Sequence, residues 1–188
     1  RHAGIINKYR NPNILFDGIR MFLEKNKEAA KLIRFEFMGR NHAGKNSKPI
    51  NAPDDLKDVV SFLGQKNLDE TWKWIATADI LLLLEFNFSK GIFFYAKLSD
   101  YLHTSRPILS LSPKKGVVAD LFKKGGGIIA SPDNSDQISN AINKIFTLWH
   151  SKNLDKITKN VSLAENVHPN NIVPIYEKAF KKAMMENT

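Results

Sequence analysis

The sequence predicts an α/β fold: a Rossmann-like parallel sheet of about six strands flanked by helices. Two observations carry that prediction. Short apolar runs alternate with segments of helical spacing along most of the chain. One run, Ile80–Leu84, is apolar at every position, as a central strand covered on both faces requires.

The strands are read at Ala3–Ile6, Ile33–Met38, Val59–Leu63, Ile80–Leu84, Ile108–Leu111 and Gly127–Ala130. Asn11-Pro12 puts a capping residue before a proline at the first helical position. Ile14, Leu15, Ile19, Phe22 and Leu23 then recur on one helical face. Asn67 and Glu70 form a capping box ahead of Trp72, Ile75 and Ala76. A further helix spans about Phe94 to His103, and a short one carries Val117, Val118, Leu121 and Phe122 before Gly125-Gly126-Gly127. Ser135 is placed to cap a helix through Ile138, Ala141, Ile142, Ile145 and Phe146. After Trp149 the pattern changes to helices alone, Leu154–Ala164 and Ile172–Met184. The polar stretch Arg40–Asp55 reads as a loop.

The 188 residues suit one ordinary domain, and 43% hydrophobic content is enough for a core. The absence of cysteine excludes disulfides, thiolate metal sites and cysteine nucleophiles. It suits a reducing cytosol. A net charge of +9 favours an anionic partner, although scattered surface lysines read equally as solvated side chains. No apolar run is long enough to span a bilayer. The chain opens at Arg1 and enters a strand almost at once, which reads as a piece of something longer.

In open parallel sheets, ligands bind beyond the carboxyl ends of the strands. After the first strand come Lys8 and Arg10, then a helix start: a phosphate site or an ordinary surface loop, with equal claim. After the fourth strand a loop enters a helix with Lys97 in its first turn and Asp100 about one turn later. First-turn amides and Lys97 can hold a diphosphate, and Asp100 can accept from two vicinal ribose hydroxyls. A surface Lys and Asp on an amphipathic helix is the bland alternative. Against it, a first-turn lysine opposes the helix dipole unless an anion is near, an effect under about 1 kcal/mol. Phe86, Phe88, Phe93, Phe94 and Tyr95 read as packing rather than a base platform. The five histidines show no metal-ligand spacing, and no phosphate-binding loop or nucleophile-elbow motif occurs.

Four segments, in order, resemble a known family. Tyr95-Ala96-Lys97-Leu98-Ser99-Asp100-Tyr101-Leu102 with Arg106-Pro107-Ile108-Leu109 looks like the "KL-x-[ED]-YL … PIL" region of retaining GT-B glycosyltransferases. His2-Ala3-Gly4-Ile5-Ile6 with Arg10-Asn11-Pro12 resembles the opening strand and helix start of their C-terminal domain. Val60-Ser61-Phe62-Leu63-Gly64 and Ala78-Asp79-Ile80-Leu81-Leu82 resemble two further strands. The resemblance covers roughly residues 2–146.

It implies one half of a GT-B architecture, with residues 1–150 as the nucleotide-sugar-binding domain. Residues 151–188 are then helices packing on it or towards an N-terminal domain absent here. It implies Asp100 on ribose, and Tyr95, Ala96 and Lys97 facing the diphosphate. Gly4, Arg10 and Lys8 also face phosphate, and Gly64 and Gln65 begin the loop near the base. The implied partners are a nucleoside-diphosphate sugar and the protein's own acceptor-binding domain, in glycan or cell-envelope polysaccharide synthesis, with no nucleic acid. The expected site is cytoplasmic, with room for peripheral contact at the inner membrane face. No metal or cofactor is expected, and no catalytic residue is assigned. The chain departs from the family where many members carry two glutamates seven residues apart: the first falls on Ile92, the second on Asp100. An arginine common after the first-strand glycine is Ile5 here. A degenerate nucleotide-binding or interaction module is therefore the alternative, with a nucleic-acid-binding protein behind it.

Overall fold

The computed structural model describes residues 1–7, 9–10, 12–41, 48–123, 125–158, 164–165 and 168–186. β1 (His2–Ala3), β2 (Phe35–Met38) and β3 (Val60–Phe62) form one parallel sheet in that order. β4 (Leu81–Leu84), β5 (Ile108–Leu111) and β6 (Gly127–Ala130) form a second. Ala3 pairs with Met38 and Phe37 with Phe62 in the first, and Leu84 with Leu111 and Leu111 with Ala130 in the second. The helices are α1 (Asn13–Lys25), α2 (Leu68–Ala76), α3 (Ala96–His103), α4 (Val117–Phe122), α5 (Ser135–His150), α6 (Asp155–Thr158) and α7 (Pro169–Glu186).

The single six-stranded sheet of the sequence reading is thus corrected to two parallel sheets of three strands. The reason lies where β1 meets β4. Leu82 N–H donates to the Arg1 carbonyl (2.7 Å), as in a parallel ladder. The next bond of such a ladder would run from Ala3 N–H to the Leu82 carbonyl. Instead Ala3 N–H donates to the Tyr101 hydroxyl (2.8 Å), which donates onward to that carbonyl (3.4 Å). A buried side chain of α3 satisfies the groups that strand pairing would otherwise use. Gly4 (φ 139) ends β1 two residues in, so the expected strand through Ile6 reduces to a lone bridge between Ile6 and Asn41.

The continuous apolar run of β4 is explained by its neighbours. Leu82 and Leu84 join the core under α1 and α5, with Phe16, Ile19, Phe22, Ile138 and Ile142. Leu81 and Leu83 face the other core, with Leu98, Tyr101, Val118 and Phe122. Both faces are covered, so no position of the strand tolerates a polar residue.

The capping box at Asn67 forms, with Glu70 N–H donating to Asn67 Oδ1 (2.8 Å) and Asn67 N–H to Glu70 Oε2 (3.3 Å). Two other caps shift by one residue. Pro12 stands at the N-cap of α1 without a side-chain bond, and Asn11 lies outside the described residues. Asn134, not Ser135, caps α5 by accepting from Gln137 N–H (2.8 Å), because Ser135 is already inside the first turn. Part of the Arg40–Asp55 stretch, residues 42–47, also lies outside the described residues. Beyond α5, α6 buries Ile157, whose carbonyl accepts from Gly126 N–H (3.1 Å). α7 leaves Val173, Ile175, Tyr176, Phe180, Met184 and Met185 exposed.

Candidate functional site

Three strands end in glycines at one edge of the first sheet, and α3 begins beside them. The resulting cleft, about 480 Å³, is lined by Gly4, Gly39, Arg40, Gln65, Trp72, Lys97 and Asp100 among others. Gly4 and Gly39 meet backbone to backbone. A side chain at Gly39 (φ 136) would collide with the Gly4 main chain, and one at Gly4 would collide with the Lys97 ammonium. Absence of both side chains therefore opens the space that Lys97 enters.

Lys97 Nζ lies 3.3 Å from His2 Nε2. His2 is fully buried on β1, and its Nδ1 is 2.9 Å from the Leu82 carbonyl. Burial and the nearby Lys97 hold His2 well below the usual imidazole range. Burial, then the Arg10 guanidinium, hold Lys97 down to about 7. Among the described residues, no carboxylate pairs with Lys97 within ion-pair distance. Tyr95 at the N-cap of α3 gives no side-chain cap, and of the first-turn amides Leu98 N–H donates to the Tyr95 carbonyl (2.8 Å). Amides, dipole and lysine together make a local excess of positive charge.

Asp100 lines the same cleft one turn along α3, and burial raises its pKa above the ordinary carboxylate value. Across the opening, Arg40 Nε donates to Gln65 Oε1 (3.1 Å). The cleft therefore gathers Gly4, Gln65, Lys97 and Asp100 of the sequence-predicted set. Arg10 stands apart from the lining. Its guanidinium stacks over Phe86 (4.7 Å) and Tyr95 (5.1 Å), yet it lowers Lys97 electrostatically. Tyr95 turns inward against Phe86 and Phe93, Ala96 is exposed in the first turn, and Gly64 sits behind Gln65, its carbonyl accepting from Gly39 N–H (2.8 Å). Lys8 lies outside the described residues.

No protein-family model matches the chain, and no curated protein matches its sequence. Solved structures do. A glycosyltransferase from Rickettsia africae superposes with a TM-score of 0.68 at 11% identity, over 97% of this chain and 48% of that one. HepE of Anabaena, solved with UDP and glucose, gives 0.62 at 15%, over 97% and 48%. The pneumococcal O-GlcNAc transferase GtfA, solved with UDP and GlcNAc, gives 0.62 at 17%, over 97% and 35%. The chain has the fold of a GT-B glycosyltransferase domain. It spans about half the length, or less, of these structures.

Within this GT-B domain, sequence reasoning missed His2, Gly39, Arg40 and Tyr101 as parts of the site. Each meets its partner across the sheet: His2 and Lys97 are 95 positions apart. It also missed Glu85, at the end of β4. Its Oε1 and Arg10 Nε are buried with no hydrogen-bond partner among the described residues, and burial raises the Glu85 pKa while Ser112 and Arg10 pull it back. A carboxylate directly after an all-apolar strand was the available signal. Ile92 is exposed, as are Phe88, Phe93 and Phe94 around it.

A second cavity lies at the opposite edge. Leu32, Ile33, Phe35, Ile80, Ile142, Ile145, Phe146 and Trp149 line about 330 Å³ there. One of its charges is paired: Arg1 Nε donates to Glu36 Oε2 at 2.8 Å, and Arg34 and Asp79 also line it.

Proposed function

We propose that the glycine-rimmed cleft binds the diphosphate and ribose of a nucleoside-diphosphate sugar, and that the chain is the donor-binding half of a glycosyltransferase. One observation carries the reading: Lys97 stands at the first turn of α3 with no carboxylate partner among the described residues, in the same cleft as Asp100. A buried amine at a helix start, which an anion would hold protonated, suits a dianionic group. A carboxylate one turn away then accepts from vicinal hydroxyls. The UDP in the HepE and GtfA structures supports a uridine nucleotide as the first ligand to test.

In the whole protein, these cations and dipoles stabilise the departing nucleoside diphosphate while the sugar moves to an acceptor held by the other half. The reading routes no step through a metal. The finer reading, transfer in glycan or cell-envelope polysaccharide synthesis at the cytoplasmic side of a membrane, rests on the family resemblance. Among the described residues no helix is long and apolar enough to cross a membrane. This half alone is expected to bind nucleotide without transferring sugar.

The test is calorimetric titration of the full-length protein with UDP and with uridine. Binding of UDP well above uridine supports the reading. Equal or absent binding of both removes it. A binding module without transfer is the second reading, favoured by exposed Ile92 where an acidic contact is expected. Saturable UDP binding with no turnover of any sugar nucleotide by the full-length protein would select it.

A further inference from the structure

Three groups meet at one point between β1 and α3: the Gly4 backbone, the Lys97 ammonium and the His2 imidazole. The hydrogen bonds decide the state of the ring. The Leu82 carbonyl can only accept, so Nδ1 of His2 carries the hydrogen of their 2.9 Å contact. In a neutral imidazole Nε2 is then a bare acceptor, and it faces Lys97 Nζ at 3.3 Å. Lys97 must donate. The Tyr101 hydroxyl on the same carbonyl, and Phe37 against the ring (6.0 Å), fix the imidazole in place.

We propose that His2 is a positioning residue for Lys97: a buried neutral imidazole, locked as an acceptor, that holds the lysine in the cleft and lets it gain its full positive charge with the incoming diphosphate. The proposal rests on the donor-site reading and deepens it.

The surrounding charges favour this coupling. From the segment after β1, Arg10 repels a proton on Lys97. From the segments after β2 and β3, Arg40 and Lys66 add positive charge along the cleft. From α3 itself Asp100 lines the cleft, and from the end of β4 Glu85 couples to Arg10. Neither carboxylate forms an ion pair with Lys97. A buried amine flanked by cations, with one neutral acceptor, lacks the counter-charge that would keep it protonated in the empty site. A diphosphate supplies that counter-charge, so binding should draw a proton from solvent.

The experiment is calorimetry of the full-length protein with UDP at pH 8, in two buffers of different ionisation enthalpy. Wild type should take up close to one proton for each UDP bound. Lys97→Met should take up none. His2→Phe keeps an aromatic ring but removes the acceptor, and should weaken UDP at least ten-fold. His2→Gln, which restores an acceptor, should recover most of that loss. UDP binding without proton uptake overturns this proposal and leaves the donor-site reading standing. No UDP binding at any pH overturns the donor-site reading. The His2 ring in wild type is tested independently by nitrogen NMR between pH 6 and 8. A protonated Nδ1 and bare Nε2 support the pairing, and a protonated Nε2 overturns it even where the variants fail to fold.

Discussion

The two edges of the sheets carry clefts whose charged groups are placed differently. The amino edge holds one between the starts of β2 and β4 and the side of α5. There Arg1 has Glu36, Arg34 and Asp79 also line the wall, and the rest is mostly hydrocarbon. At the carboxyl edge the cleft holds Lys97, which no carboxylate among the described residues pairs, and Asp100, whose pKa burial raises. The difference teaches that shape and apolarity locate space, whereas unsatisfied charge locates binding. A protein seldom leaves a half-buried cation without a partner unless a ligand completes it.

The largest expected effect separates the two edges by stability. Ile142 is buried in the core and reaches the amino-edge cleft. Ile142→Ala should cost about 2–5 kcal/mol of folding stability and leave UDP affinity of the folded protein unchanged. Denaturant titration beside calorimetry checks both, and a matching loss of UDP affinity would break the division. Lys97→Met should act in reverse. It should weaken UDP by about 3 kcal/mol, the upper range for a charged hydrogen bond, without destabilising the fold. Asp100→Ala should cost about 1.5–3 kcal/mol of nucleotide affinity. Asp100→Asn should cost less, since an amide oxygen still accepts, and both should affect uridine as well as UDP. Loss of UDP affinity with uridine unchanged would move Asp100 away from the ribose.

Much of this division was legible in the residues. Lys97 and Asp100 sit one turn apart on one helix, so local spacing alone places them together. The apolar run of β4 and the Asn67 capping box are likewise local patterns, and both appear as read. The join between β1 and β4 was not legible, because it depends on a tyrosine hydroxyl reaching a strand 98 positions earlier in the chain. His2 escaped notice for the same reason: a lone histidine on an apolar strand looks like core until its acceptor nitrogen is seen against Lys97. Arg10 shows a third case. It was read as facing the phosphate, but stacking on Phe86 and Tyr95 keeps it out of the cleft lining and makes it a source of field there.

The smallest effect, measured per pH unit, is the sharpest check on the unpaired charge. Unfolded, Lys97 keeps its proton up to its ordinary value of 10.5, whereas folded it releases it at about 7. Between those values the unfolded chain binds more protons than the folded one. Stability without ligand should therefore rise with pH across that window, by up to about 1.4 kcal/mol per unit. Below pH 7 the lysine is charged in both states and the slope from this group vanishes. His2, whose folded pKa is also depressed, then adds a further loss as pH falls below its ordinary value of 6.5. Denaturation midpoints at pH 7.5, 8.25 and 9 test the lysine window while most other lysines and tyrosines stay protonated. Lys97→Met should flatten the slope, because no buried amine remains to titrate. Saturating UDP should flatten it too, because the bound diphosphate restores the proton in the folded state. A wild-type slope that survives Lys97→Met would assign the pH dependence to another group and remove the contrast between the two edges.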